Sequence, residues 1–445
     1  MRSPKNVLES LTSKAANKDY HYKRLYRNLY NPAFFLLAYE RIQAKPGNMT
    51  AGSDGKTIDG MSMKRIETLI EKLKDFSYQP KPARRTYIPK ANGKTRPLGI
   101  PAFNDKLVQE VIRMILESIY EPTFQDTSHG FRPKRSCHTA LQYIKRNYTG
   151  VKWFVEGDIK GCFDHVDHHV LIQILRRRIA DEHFIGLIWK FLKAGYMENW
   201  VYYNTYSGTP QGSLISPILA NIYLNEFDQE FVKRGVPCIR YADDIVLLAK
   251  SKRASERLLE SSTKYLEEKL KLTVNRKKSR TVSVFAIRNF KYLGFALGRN
   301  GTGIYVRVHP KSWRKFKSRL KELSSRKRCQ SIKPSLEKIK IYARGWLNYY
   351  GIASMKNNIE EINGWLYHRI RMCIWKQWKL PRTKKRNLIK MGVHEYYANM
   401  AANCRRGHWY CANLTTVKKA MTKERLINGG FYDLATAYQS VHVNY

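Results

Sequence analysis

Asp158 closes a hydrophobic run, Trp153-Phe-Val-Glu-Gly157, and Asp243 and Asp244 interrupt another, between Ile239-Arg-Tyr241 and Ile245-Val-Leu-Leu248. Aspartate favours turns, so either segment alone says little. In a chain with 81 Lys+Arg against 36 Asp+Glu, three acids at the ends of apolar runs need a further reason. Carboxylates brought together repel each other unless a cation neutralises them. Aspartate oxygens suit a hard ion such as Mg²⁺, which keeps waters and accepts phosphate oxygens as its remaining ligands. Two such ions about 4 Å apart can activate an attacking 3′-oxygen and stabilise a leaving pyrophosphate.

These acids need β elements to hold them. The pattern predicts a strand over 151–157 ending at Asp158, and a tight β pair centred on Ala242-Asp243. Between them, 216–228 reads as helix, because Leu219, Tyr223 and Phe227 repeat every four residues, as do Ala220 and Leu224. Upstream, 20–45 and 62–76 read as helices, the second with Ile66, Leu69, Ile70 and Leu73 on one face. Residues 84–101 read as a hairpin around Asn92-Gly93, confined to a sheet edge by Pro89 and Pro97. Helix signals return over 105–119. Beyond about residue 310 the pattern is almost purely helical, with Trp313, Phe316, Leu320 and Leu323 opposite Lys311, Arg314, Lys315, Lys317 and Arg319. The outline is a mixed α/β body followed by a basic helical domain.

The net charge is +45 over 445 residues, and residues 301–445 hold 30 Lys+Arg and 7 Asp+Glu, a net of +23. Self-repulsion on that scale destabilises a compact state unless phosphates neutralise it, so the expected partner is nucleic acid. With 43% hydrophobic and 12% aromatic residues, wholesale disorder is excluded. The longest apolar stretch falls far short of the roughly 20 residues of a membrane helix, and the charged N-terminus lacks the apolar run of a secretory signal. Seven scattered cysteines without a CxxC fit a reducing compartment, and the expected location is the cytoplasm. Cys404-x3-His408-x2-Cys411 has unusual spacing for zinc and reads better as surface or core. Neither a P-loop nor a metalloprotease helix is present, since His394-Glu395 lacks its second histidine.

Three blocks in order resemble reverse transcriptases. Tyr241-Ala-Asp-Asp244, preceded by Arg240, resembles their YADD box. Phe154-Val-Glu-Gly-Asp158-Ile-Lys-Gly-Cys-Phe163-Asp164 resembles their first palm block, and Gly208-Thr-Pro-Gln-Gly-Ser-Leu-Ile-Ser-Pro-Ile-Leu-Ala220 their PQG block. The resemblance narrows to the group II intron reverse transcriptase/maturase family, in a bacterial-type form without an HNH nuclease. Tyr87-Ile-Pro-Lys90 with Arg96-Pro-Leu-Gly-Ile-Pro101 looks like its fingers hairpin, His129-Gly-Phe-Arg-Pro133 and Asn289-Phe-Lys-Tyr-Leu-Gly294 like further blocks. Gly345-Trp-Leu-Asn-Tyr-Tyr350 and Arg371-Met-Cys-Ile-Trp-Lys-Gln-Trp378 look like its thumb or maturase domain. Only eleven residues separate Asp228 from Arg240, where some members carry a longer insertion.

The resemblance implies an α+β right-hand polymerase, fingers and palm around an antiparallel palm sheet, followed by an all-α thumb/maturase domain. It implies an N-terminal extension over 1–60, fingers and palm over 61–300, thumb/maturase over 301–380 and a basic DNA/RNA-binding region over 381–445. Two Mg²⁺ ions, replaceable by Mn²⁺, are expected on Asp158, Asp243, Asp244 and the backbone at Ile159. Lys278, or Lys277 beside it, is expected to protonate pyrophosphate. Lys90 and Arg96 would clasp the dNTP triphosphate, Gln211 and Gly212 would lie against the nascent pair, and Phe163 would exclude a 2′-OH. Arg344, Arg369, Arg371, Lys376, Arg382, Lys384, Lys385 and Arg386 would contact RNA or DNA phosphates. Trp346, Trp365, Trp375 and Trp378 are expected in the core. The implied partners are a cognate intron RNA, an RNA template with a DNA primer, target DNA and dNTPs, with no membrane. Two other readings are a splicing maturase with an idle polymerase and a domesticated reverse transcriptase in host defence or repair.

Overall fold

The computed structural model describes the chain except residues 1, 90–92, 94, 149, 210–211, 284–285, 287–289, 301–302, 328–330 and 443–445. The chain divides into two compact units, Met1–Ser283 and Val284–Tyr445. In the first, the strands are β1 (Ala83–Pro89), β2 (Thr95–Ile100), β3 (Trp153–Asp158), β4 (Tyr196–Glu198), β5 (Val201–Tyr203), β6 (Cys238–Tyr241), β7 (Asp244–Ala249) and β8 (Arg280–Ser283). They form two four-stranded sheets, ordered β2-β1-β4-β5 and β6-β7-β3-β8.

The second sheet is antiparallel and carries the acids. Its β3–β7 register runs from Trp153 opposite Ala249 to Asp158 opposite Asp244. Helix Lys252–Lys264 packs on this sheet, and the other helices of the unit bury apolar faces that follow the sequence pattern. In Phe103–Tyr120, residues Leu107, Val108, Val111, Ile112 and Ile115 are all fully buried. Ser216–Lys233 buries Leu219, Tyr223 and Phe227, with Pro217 in its first turn, where a missing N–H costs nothing. Met63–Lys74 starts where the Ser62 side chain accepts from the Arg65 amide.

Two expectations change. The helix expected over 20–45 is instead a short 3-10 turn, Tyr26–Tyr30, and a helix, Pro32–Gln43. Asn31 is extended and its side chain accepts from Ala33 N, because a residue before proline is kept out of the helical region. The fingers hairpin forms, with Arg84 opposite Ile100 and Pro89 opposite Thr95. Yet only β2 is an edge: β1 also pairs with β4 through Ala83 and Arg84, ahead of Pro89.

The second unit opens on an antiparallel pair, β9 (Phe295–Asn300) and β10 (Gly303–Val308), so the region from 301 is helical only after this hairpin. Helices Pro310–Leu323, Ile332–Tyr350 and Lys356–Gln377 follow, with the Trp346 ring stacked 3.9 Å from Phe316 and Trp375 fully buried. Asp433 ties the last helix down. Partial burial opposes its ionisation, but donors from Tyr367, Asn363 and Thr436 outweigh this and hold its carboxyl well below the usual range. Among the described residues, no helix is long and apolar enough to cross a membrane.

Candidate active site

Because facing residues of β3 and β7 stand side by side, the register sets Asp158 against Asp244 at one end of the sheet, and Asp243 precedes Asp244 in the turn. Asp158 is held from one segment: Asn275 Nδ2 donates to it at 2.9 Å and Lys278 Nζ at 3.0 Å. The Asp158 amide donates to Ser279 Oγ, and its carbonyl accepts from the Asn275 amide. Ile159 is buried and bridges Val274, which fixes the backbone there. Lys278, not Lys277, is the lysine found on Asp158.

Asp244 reaches solvent, yet the protein crowded around it withholds bulk water. That desolvation, then the charges of Asp243 and Asp158, lifts its carboxyl to about 6. Among the described residues, no three His, Cys, Asp or Glu side chains stand close enough to enclose one ion. The donor chemistry still fits a hard divalent cation: Asp158, Asp243 and Asp244 lie at one sheet end, where the first two raise the third by their charge, and such an ion relieves that repulsion. An ion on Asp158 competes with the Lys278 ammonium.

The turn between β6 and β7 is strained and braced from behind. Ala242 has φ +58°, at a position where glycine is usual. Arg240, 1% exposed, donates from Nη1 to the Ala242 carbonyl and Asn221 Oδ1, from Nε to both Asp228 oxygens, and from Nη2 to Asp228 and Ser128 Oγ. Gly130 packs so closely that a Cβ would lie 2.2 Å from Ala242 N, and its carbonyl accepts from Asn221 Nδ2. His129, in the same block, donates its amide to the Arg240 carbonyl, and burial with nearby arginines pushes its imidazole down to about 4. The 129–133 block is therefore a brace behind the turn. Arg240 and Asp228 were not singled out for this from sequence. The available signal was a charged residue inside an apolar strand and an acid on the buried face of a helix.

Phe163 is half-buried in the 3-10 turn Cys162–Asp164, edge-on to Phe131 at 6.1 Å. The PQG block begins against it: Thr209 N donates to Phe163 O, and a Cβ on Gly208 would lie 2.6 Å from Asp164 O. Gly212 has φ +109°, and a Cβ there would meet Gly99 O at 2.3 Å, so only glycine fits beside β2. Gln109 Oε1 fixes the exit of this loop by accepting from Ser213 Oγ and Leu214 N. Arg96 lies on β2, opposite Ile88. Lys90, Gln211 and Asn289 lie outside the described residues.

In the second unit the expected phosphate contacts divide. Arg369 donates to Ser324 Oγ, Ser324 O and Lys321 O, and Arg371 to Ala412 O; burial lowers both guanidinium pKa values. Lys384 lies over the Trp375 ring and Lys385 pairs with Glu395. Each of these four thus has a partner within the protein. Lys376, although exposed, donates to Arg326 O. Arg344, Arg382 and Arg386 are exposed to solvent. The Cys411 thiol, which burial pushes up to about 11, donates to the Arg406 carbonyl at 3.0 Å, with the Cys404 carbonyl farther off at 3.6 Å.

Residues 88–297 match the reverse transcriptase (RNA-dependent DNA polymerase) family, and 313–392 the group II intron maturase-specific domain. Over 231 residues the chain is 54% identical to the group II intron-encoded protein LtrA of Lactococcus lactis subsp. cremoris, a match covering 52% of this chain and 39% of LtrA. Protein YkfC of Escherichia coli K12 is 37% identical over 319 residues, 62% of this chain and 83% of YkfC. A telomerase from Candida albicans is similar at TM-score 0.43 and 13% identity, covering 82% of this chain and 64% of that one. The catalytic-type sheet and its matched segment define a reverse transcriptase domain. The chain belongs to the family of group II intron reverse transcriptase/maturases. Reverse transcriptases depend on divalent metal ions.

Proposed function

We propose that this protein is an RNA-directed DNA polymerase that copies intron RNA into DNA by a two-metal mechanism. As a maturase it binds its cognate intron RNA to assist splicing and mobility, including retrohoming by target-primed reverse transcription. The observation that carries this is the Asp158–Asp244 register beside the braced Ala242-Asp243 turn. Two Mg²⁺ ions, or Mn²⁺ in their place, would bind Asp158, Asp243, Asp244 and the Ile159 carbonyl, where they would activate the primer 3′-hydroxyl and neutralise pyrophosphate. Lys278 Nζ lies 3.0 Å from Asp158 and would donate the proton that the leaving pyrophosphate takes up. Arg96, with Lys90, would hold the triphosphate, and Gly212, with Gln211, would face the nascent pair. Residues 1–60 would extend the fingers and palm of 61–300, with thumb/maturase over 301–380 and a basic nucleic-acid-binding region over 381–445. The setting would be the bacterial cytoplasm. With Mg²⁺, dNTPs, an RNA template and a DNA primer, the protein makes complementary DNA; metal-dependent binding of primed template without extension would exclude polymerase activity.

Phe163 reads the sugar by filling the space a 2′-OH needs. Phe163→Val should raise ribonucleotide use relative to deoxynucleotide use on the order of 10–100-fold, the range for opening a tight apolar contact. An unchanged dNTP/rNTP ratio in a folded, active variant would make Phe163 a packing residue.

The exposed arginines are the phosphate contacts. Replacing Arg344, Arg382 and Arg386 with glutamine should weaken intron RNA binding and flatten its salt dependence by about one in log–log slope per lost contact. Extension on a short primed template should fall less. Equal loss of both would mean that these residues clamp the template–primer rather than the intron.

A further inference from the structure

The 129–133 block braces the turn that carries Asp243, but its middle residue has no part in that brace. Phe131 has φ +58°. For a bulky side chain this backbone region is an outlier, because Cβ crowds the following carbonyl. The residue is 57% exposed, so burial does little to offset that strain. Conformations of this kind persist only where the surroundings over-determine them. Here they do. On one side, His129 Nδ1 pairs with Thr139 Oγ1 at 2.8 Å and Gly130 packs on Ala242. On the other, the buried Arg132 donates from Nε to Glu121 and from Nη1 to the carbonyls of Gln125 and Ser128.

The ring held out in this way meets Phe163. The two stand edge-on, with centroids 6.1 Å apart and planes at 75°, inside the range that aromatic pairs prefer. The backbone of Phe163 is fixed by other means: its carbonyl accepts from Thr209 N, and a Cβ on Gly208 would lie 2.7 Å from that same oxygen. The side chain is a separate matter, because a half-buried ring can still change rotamer. A steric gate excludes a 2′-OH only as firmly as its ring resists displacement. A ring with no neighbour swings aside at the cost of one rotamer change, whereas a ring packed on another transmits the push to it.

We propose that Phe131 is a positioning residue for sugar selection: its ring holds that of Phe163 where it excludes a 2′-OH. This rests on the reading of Phe163 given above. One segment then serves both parts of the site, since Gly130 supports the turn carrying Asp243 and Phe131, the next residue, supports the gate.

The test compares the affinities of the next dNTP and the matching rNTP for the protein on a primed RNA template whose DNA primer ends in a dideoxynucleotide, so that no turnover is needed. Asparagine tolerates positive φ, so Phe131→Asn keeps or raises the thermal midpoint. It shifts the dNTP/rNTP affinity ratio toward rNTP by about 2- to 10-fold, which is what one aromatic pair is worth. Phe131→Tyr keeps the ring and a ratio close to that of the wild type. Added to Phe163→Val, Phe131→Asn changes the ratio little further, because residues that act as one unit are not additive. A residue with only a structural role would weaken both nucleotides alike and leave the ratio unmoved. An unchanged ratio in folded Phe131→Asn, with Phe163→Val shifted, overturns the positioning role alone. A full additive shift in the double variant also overturns it, because Phe131 would then meet the nucleotide without acting through Phe163. An unchanged ratio in Phe163→Val removes the gate and the positioning role together. A protein that shows these ratios but does not extend an ordinary primer loses the polymerase reading and keeps this one.

Discussion

The double substitution Asp243→Asn with Asp244→Asn is expected to abolish DNA synthesis and to leave RNA affinity nearly intact. Asparagine keeps the shape of aspartate and its place in the β6–β7 turn, and removes only the charge that attracts a divalent ion. Metal-assisted charge stabilisation is worth several kcal/mol in a phosphoryl-transfer transition state. At about 1.4 kcal/mol per tenfold, its loss slows extension by at least ~10³-fold. The same substitutions remove two of three mutually repelling carboxylates, a repulsion that adds to burial in lifting Asp244 to about 6. The metal-free variant therefore melts at or above the wild-type temperature. Primer extension and thermal melting on one preparation check both halves. Undiminished extension removes the metal-site assignment; loss of extension with a large fall in melting temperature makes these residues part of the packing instead.

What the sequence disclosed about this site is what short segments determine. Asp158 and Asp243-Asp244 stood out because strand ends and tight turns depend on a few neighbouring residues, and β3, β6 and β7 formed where the apolar runs placed them. The Asn31-Pro32 break was equally local, and reading 20–45 as one helix passed over a proline signal. Strands β4 and β5 were beyond reach for another reason. Each has three residues, too few for a period, and their turn carries tryptophan where glycine would announce a hairpin. The sequence favoured Lys278 with Lys277 one position away, and the contact of Lys278 with Asp158 depends on Asn275 and Ser279 anchoring the segment there. Likewise, charge in a sequence does not reveal that the Arg369 and Arg371 guanidinium groups donate to backbone carbonyls. The short link between Asp228 and Arg240 was visible as a spacing, while its physical meaning, two oppositely charged side chains buried together, depended on where the Ser216–Lys233 helix lies against β6.

That pair gives the second large effect. Arg240→Met leaves Asp228 charged, 1% exposed and without its main donor, and breaking a buried pair in this way costs about 3–5 kcal/mol. Arg240→Met with Asp228→Leu removes both charges, and replacement of a buried pair by apolar groups is often neutral. The double variant should thus recover most of the melting temperature lost by the single one. It should not recover DNA synthesis. Arg240 is also the donor to the Ala242 carbonyl, to Asn221 and to Ser128, so the positive-φ turn that carries Asp243 loses its brace in both variants. The readout that separates positioning from mere stability is metal binding. Tb³⁺ luminescence titrations should show weakened binding in the double variant despite its restored fold, whereas a purely structural pair predicts that binding, synthesis and melting temperature return together. Recovery of all three would leave Arg240 as a core residue, and the strain at Ala242 would then have to be held by Gly130 and the 129–133 block alone.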